Sequence, residues 1–224
     1  MDTIYKGDLS TKAGRRNAWI DALFVDHAVL RIFWTNFHEV KAGRLYRSNH
    51  PTPGNLAVFT RKAGLRSLIN LRGLAKNGSD ALSRDAAARL GLDFYDMAME
   101  SRGAPHKDRI LRLAEILATM RGPALIHCKS GADRAGLAAG LFVLIEGGTV
   151  EEALKQLSWR FGHIKQAKTG ILDAFFLTYQ RDGEARGKKF LDWVREDYSE
   201  QDLRDHFKAN ALAGFINDKV LGRE

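Results

Sequence analysis

No intramolecular disulfide can form in this chain, because Cys128 is its only cysteine in 224 residues. A lone thiol suits a reducing compartment and leaves chemistry, not cross-linking, as a reason to carry it. Long apolar runs are missing too. A bilayer span needs roughly 20 consecutive apolar residues, and the most apolar stretch, 18–37, is interrupted by Asp21, Asp26, His27 and Arg31. Met1-Asp2-Thr3 begins no signal peptide, since no apolar run follows a basic start. Together these absences predict a cytoplasmic protein. The chain also lacks internal repeats and low-complexity linkers, which argues against a solenoid or a tethered array.

What is present is a hydrophobic fraction of 45% and a formal charge of +8. The first is enough for a packed core. The second predicts a face that favours anions, without separating nucleic acid, an acidic membrane or a phosphorylated small molecule. Residues 1–17 are polar and basic, with Lys12, Arg15 and Arg16, and are expected to be partly ordered at best. From Ala18 to Phe37, Ile20, Leu23, Phe24, His27, Leu30, Ile32, Phe33 and Trp34 recur at helical spacing. They predict an amphipathic helix or two, with two readings open: packing on the side of the domain, or contact with a membrane surface.

An α/β alternation follows. Strands are predicted over 44–48, 67–71, 93–99 and 124–127, and helices over 55–63, 80–90, 107–120 and 135–146. Further helices are predicted near 150–159, 170–181, 188–198 and 201–212. Strands separated by crossover helices imply an α/β fold: a small, mostly parallel central sheet flanked by helices.

The chemistry concentrates at Cys128-Lys129-Ser130-Gly131-Ala132-Asp133-Arg134. A short apolar strand delivers the cysteine, a glycine sits in mid-loop, and an apolar helix begins at the arginine. Successive backbone N–H groups of such a loop form a concave nest for phosphate oxygens. The helix N-terminus adds partial positive charge, and both effects favour a thiolate. Arg134 offers two parallel N–H donors to phosphoryl oxygens, a geometry lysine lacks. Attack by the thiolate would make a phosphocysteine that water hydrolyses in a second step. This chemistry calls for no metal and no cofactor.

His127-Cys128-x5-Arg134 resembles the signature of protein tyrosine and dual-specificity phosphatases. Gly43-Arg44-Leu45-Tyr46-Arg47-Ser48-Asn49-His50-Pro51 and Ile69-Asn70-Leu71-Arg72 resemble the strands preceding it in the tyrosine-phosphatase-like proteins of alphaproteobacteria. The resemblance spans roughly residues 38–180. It implies a dual-specificity-phosphatase-like fold, with Cys128 as nucleophile, Arg134 as phosphate clamp, and Lys129, Ser130, Gly131 and Ala132 supplying the phosphate-binding loop. It also divides the chain into an N-terminal extension (1–37), a phosphatase domain (38–182) and a C-terminal helical extension packed on it (183–224).

Two departures from the family pattern stand out. Ala135 occupies the place of a Ser or Thr whose hydroxyl helps the cysteine leave, and the proton donor is not in its usual setting. Asp96 lies about the expected distance before Cys128 but within a predicted strand. Glu100 ends that strand. Asp133 sits in the loop itself, as in myotubularins and Sac-type phosphoinositide phosphatases, and is favoured as the acid. His127 is expected to orient the loop from behind. Arg160, His163, Lys165, Gln166 and Lys168 read as a solvated basic loop, with Gln166 at about the place where relatives position the hydrolytic water.

The expected partner is a phosphorylated substrate, either a protein side chain or a lipid headgroup, with peripheral membrane contact through the N-terminal segment as a further reading. No stacking aromatics punctuate the basic residues, so nucleic acid ranks low. A catalytically weak phosphate-binding module is the alternative function. The sequence is silent on oligomeric state.

Overall fold

The computed structural model describes residues 5, 7–29, 33–165 and 168–209. Strands β1 (His38–Lys41), β2 (Leu45–Ser48), β3 (Ser67–Asn70), β4 (Asp93–Asp96) and β5 (Ala124–His127) form one sheet in the order β1-β2-β5-β3-β4. β5 pairs in parallel with both β2 and β3, β4 extends the parallel set, and β1 closes the edge antiparallel to β2. Parallel neighbours need crossovers. These are α2 (Pro53–Ala63), α3 (Gly78–Arg89) and α4 (Lys107–Thr119), the helix α1 (Lys12–Ile20) having preceded the sheet. After β5 come α5 (Asp133–Ile145), α6 (Val150–Leu154), α7 (Ile171–Asp182) and α8 (Phe190–Glu196); residues 200–209 are helical as well.

Side-chain alternation along β5 explains its central place. Ala124 and Ile126 point into a core shared with Leu113 of α4, Leu137 and Leu141 of α5, Phe175 of α7 and Trp193 of α8. Leu125 points the other way, into a core with Leu56 and Phe59 of α2 and Ala86 and Ala87 of α3. A strand buried on both faces is held rigidly, and Cys128 follows its last residue. The loops at the C-terminal ends of parallel strands are where such sheets place their ligands.

Several predicted boundaries move. β1 was not expected: its sequence His38-Glu39-Val40-Lys41 is half charged and alternates between exposed and half-buried positions, as a protected edge strand does. Regular pairing of β4 ends at Asp96, although Met97 and Met99 still donate to Asn70 and Leu71 carbonyls. The helix predicted to 159 stops at Leu154 and gives way to a 3₁₀ turn, Trp159–Phe161. Of the helix predicted over 201–212, residues 210–212 lie outside the described residues.

The larger correction concerns the N-terminal segment. Lys12–Ile20 is helical, where at most partial order was expected, and Thr11 caps it by accepting from the Gly14 N–H. No continuous helix runs through 18–37. α1 passes into a π-helical turn, Asp21–Val25, and His27 takes a left-handed conformation at φ 58°. Ala18, Ala22 and Ala28, with Tyr5 and half-buried Leu23, pack with Leu82 of α3. Gly78 allows this approach, since a Cβ there would stand 2.2 Å from the Ala18 carbonyl oxygen. Buried Asp21 then accepts from the Gly78 N–H at 2.6 Å, satisfying a free donor at the start of α3. Leu30 and Ile32, which the spacing also places on the apolar helix face, lie outside the described residues.

Candidate active site

The loop after β5 is built by tying its carbonyls backward. The Lys129 carbonyl accepts from the His50 N–H at 3.2 Å, and that of Ser130 from Asn36 Nδ2 at 3.1 Å. Those of Gly131 and Ala132 accept from Arg47 Nη2 at 2.7 and 3.1 Å. Because the peptide unit is planar and trans, each fixed carbonyl turns the next residue's N–H the opposite way. The amides of residues 130–133 therefore face the concave side, where the Gly131 N–H reaches Cys128 Sγ at 3.2 Å. Gly131 itself sits at φ 79°, and a Cβ there would stand 2.8 Å from Asn36 Nδ2, from the Asn49 nitrogen and from the Ser48 carbonyl carbon. Only glycine fits.

Arg47 is the anchor of this arrangement. It is fully buried, its Nη1 donates to the carbonyl and side-chain oxygens of Gln156 at 2.7 and 3.0 Å, and its guanidinium lies 4.0 Å from the Phe161 ring centroid. Burial lowers its pKa to about 10, while the charge of Cys128 acts in the opposite sense. It remains a cation at neutral pH, one peptide layer behind the loop. A second support runs from the N-terminal segment. Asp26 takes a two-bond contact from Arg72 at 2.8 Å each; Arg72 reaches His50 Nδ1 at 3.0 Å; and His50 Nε2 meets the Ser79 carbonyl at 3.1 Å. Arg72 supplies the hydrogen to Nδ1, so Nε2 carries the proton that Ser79 accepts. His127, buried behind Cys128, meets His50 edge to face at 4.6 Å.

Cys128, almost buried, opens onto a cavity of about 590 Å³ lined also by Lys129, Ser130, Asp133, Arg134, His27, Trp34, Ser101 and Arg102. Of the loop residues named from sequence, these five share one cavity, whereas Gly131 and Ala132 act through the backbone. The buried Nε of Arg134 has no hydrogen-bond partner among the described residues. Ala135 is fully buried in the first turn of α5, where no side-chain hydroxyl is present.

The three carboxylates considered as proton donors separate cleanly. Asp96 accepts from Arg84 at 2.6 Å and from Asn70 at 3.3 Å on the sheet's far edge. Glu100 is engaged by Arg109 and by the His106 N–H. Neither lines the cavity; Asp133 does. Its Oδ1 lies 2.8 Å from His163 Nδ1, and His163 Nε2 lies 2.8 Å from Asp173 Oδ2. Burial works against charge on His163, but the hydrogen bonds to Asp133 and Asp173 outweigh it and raise its pKa to about 9. The reading of His163 as part of a solvated basic loop is thus overturned: Arg160, Lys165 and Lys168 are exposed, whereas the histidine is buried between two acids. Gln166 lies outside the described residues.

Sequence reasoning assigned no role to Arg47, Asn36, Asp173 or His163 in this site. Arg47 had left a signal, as a charge in the middle of a predicted strand, where only a buried partner makes it tolerable. Asn36, at φ 48°, and the His163–Asp173 pair had left none.

A nest of backbone amides at the end of a central parallel strand, with a cysteine at its start and an arginine at its end, defines a dual-specificity-phosphatase-like α/β protein. Residues 34–155, more than half of the chain, match the model of a tyrosine phosphatase family, and the chain belongs to that family. Solved structures agree on the fold. TpbA from P. aeruginosa is 19% identical with a TM-score of 0.53, covering 72% of this chain and 89% of that one. The catalytic core of the PP-IP phosphatase SIW14 from S. cerevisiae is 22% identical, TM-score 0.54, covering 67% and 89%. A putative phosphatase from Shewanella putrefaciens CN-32 is 15% identical, TM-score 0.52, covering 68% and 94%. No curated protein sequence matches the chain.

Proposed function

We propose that the protein hydrolyses phosphate monoesters through a phosphocysteine on Cys128. The observation that carries this reading is the backward anchoring of four consecutive loop carbonyls, which turns the following amides to the concave side of the loop, where the Gly131 N–H reaches the sulfur. In the first step the thiolate attacks phosphorus, the S–P bond forms and the ester P–O bond breaks; Arg134 and the loop amides hold the equatorial oxygens. Asp133 delivers the proton the leaving oxygen needs. In the second step water attacks phosphorus, its proton passes to Asp133, and the thiolate is released. With Ala135 in place of a hydroxyl residue, that release is left to the loop amides, the helix N-terminus and the other groups lining the cavity, Ser130 and Arg134 among them.

The substrate class is a phosphoprotein or a phospholipid headgroup. A TpbA structure holds phosphotyrosine, which supports a phosphorylated side chain. Trp34, a half-exposed aromatic that lines the cavity, and its exposed neighbour Phe33 support a lipid. Phosphate release from p-nitrophenyl phosphate, a phosphotyrosine peptide, phosphoinositides and a phosphorylated glycolipid tests both. Cys128→Ser is expected to abolish turnover on every substrate, and surviving activity would sink the nucleophile assignment. The missing hydroxyl at Ala135 favours one alternative, a phosphate-binding module of low turnover. It would appear as micromolar vanadate binding with no phosphate release.

A further inference from the structure

Asp133 is the only carboxylate lining the cavity among the described residues, and its Oδ1 is already committed to His163. A carboxylate that accepts a hydrogen bond from an imidazolium is in its ionised form and has no proton of its own to give. The chain Asp133–His163–Asp173 resolves this. His163 is 2% exposed, with 2.8 Å contacts at both ring nitrogens, one to each acid. Asp133 comes from the first turn of α5 and Asp173 from the first turn of α7, so the ring is clamped between two helices of the main core.

We infer that His163 is the proton store of this site, a positioning residue that holds Asp133 toward the cavity, supplies the proton Asp133 passes on and takes it back after hydrolysis. This rests on the assignment of Asp133 as the donor to the leaving group. As the ester P–O bond breaks, the proton on His163 Nδ1 moves to Asp133, and the carboxylic acid so formed passes that same proton to the leaving oxygen, which returns Asp133 to its ionised form. His163 is then neutral, with its Nε2–H still donating to Asp173. When water attacks the phosphocysteine, its proton moves to Asp133 and on to Nδ1, restoring the imidazolium. No oxidant or co-reactant is involved, and the protons balance over the cycle.

Charge geometry sets the working range. The charged groups facing the ring are Asp133 and Asp173; Arg160 and Lys165 of its own loop are exposed. Two acids around one imidazolium keep it charged up to about pH 9. The store is therefore full at neutral pH and empties as pH rises through that value. An acid that is fully protonated at working pH and not much stronger than a phenol is well matched to a phenolic leaving group.

The test is His163→Asn, whose side-chain amide can still donate to Asp133 but carries no transferable proton. Turnover is compared on p-nitrophenyl phosphate, whose leaving group needs little protonation, and on phenyl phosphate, whose leaving group needs it. The expected loss is roughly 10²-fold on phenyl phosphate, the scale of general-acid catalysis, with much less on p-nitrophenyl phosphate and with vanadate affinity retained. The alkaline limb of the wild-type kcat profile should disappear. Equal losses on both substrates, or an unchanged alkaline limb, would overturn the proposal. If His163→Asn does not fold, Asp173→Asn decides: it keeps an acceptor for Nε2 but removes a charge, so the alkaline limb must move to lower pH, and an unmoved limb refutes the store. Loss of the nucleophile assignment would look different, as activity persisting in Cys128→Ser.

Discussion

Arg47 illustrates how much of this site depends on one side chain that never meets the substrate cavity. It donates to the carbonyls of Gly131, Ala132 and Gln156, all in a setting from which water is excluded. Replacing it with methionine keeps the bulk and removes every donor. An acceptor left unsatisfied in the interior costs roughly 1–3 kcal/mol, so Arg47→Met should lose about 3 kcal/mol or more in urea denaturation. The freed carbonyls would also let the loop amides rotate out of the cradle, so vanadate affinity should fall with stability. Arg47→Lys should rescue little, because an ammonium cannot span the Gln156 and loop carbonyls as the planar fork does. A variant with wild-type vanadate affinity would show that the loop holds its shape without Arg47.

At the scale of elements, the N-terminal segment is fastened by a cap. Asp21 accepts from the Gly78 N–H while Asn77 accepts from the Asp80 N–H, so α3 begins with two of its free donors satisfied from two different directions. Asp21→Ala is expected to cost about 1–2 kcal/mol, read as a drop in melting temperature of about 2–4 °C per kcal/mol for a chain of this size. Asp21→Asn, which keeps an acceptor, should recover most of it. An unchanged melting temperature in Asp21→Ala would mean that the Ala18–Gly78 packing alone docks the segment. Sequence pattern gave notice of the parallel strands and crossover helices, since β-strand apolar runs and helix periodicity are local signals. It also singled out Cys128, Asp133 and Arg134, which line one cavity, because a loop motif is contiguous. It could not foresee that α1 starts at Lys12, because Lys12, Arg15 and Arg16 make the segment polar overall and its docking face is completed only by Leu82 and Gly78 of α3, much later in the chain. Nor could it place His163 between Asp133 and Asp173, thirty residues before it and ten after, since only the packing of α5 against α7 brings those acids together.

The whole molecule presents its charge unevenly around the cavity. Phe33 and Trp159 are 90% and 88% exposed, and Ile164 is 61% exposed. The Trp34 ring packs over Gly162, where a Cβ would come within 3.0 Å of it, so the 33–36 and 158–164 loops adjoin; Asn36 bonds both the Phe161 and Ser130 carbonyls. Trp34 thus stands beside the 128–134 loop, with exposed Phe33 next to it in sequence and Trp159, Arg160 and Lys165 on the adjoining segment, and no acidic residue occurs between Gln156 and Lys165. Apolar side chains with cationic neighbours suit the headgroup region of an anionic bilayer. The full chain should therefore sediment with vesicles of phosphatidylglycerol and phosphatidylcholine, less so with phosphatidylcholine alone, and release in high salt as screening grows. Burying an aromatic is worth roughly 1.5–3 kcal/mol, so the double variant Phe33→Ser/Trp159→Ser should bind at least about tenfold more weakly while turning over p-nitrophenyl phosphate normally. A wild-type chain indifferent to anionic vesicles would assign this rim to soluble phosphoprotein substrates, and self-association lost in the double variant would assign it to a second copy of the chain.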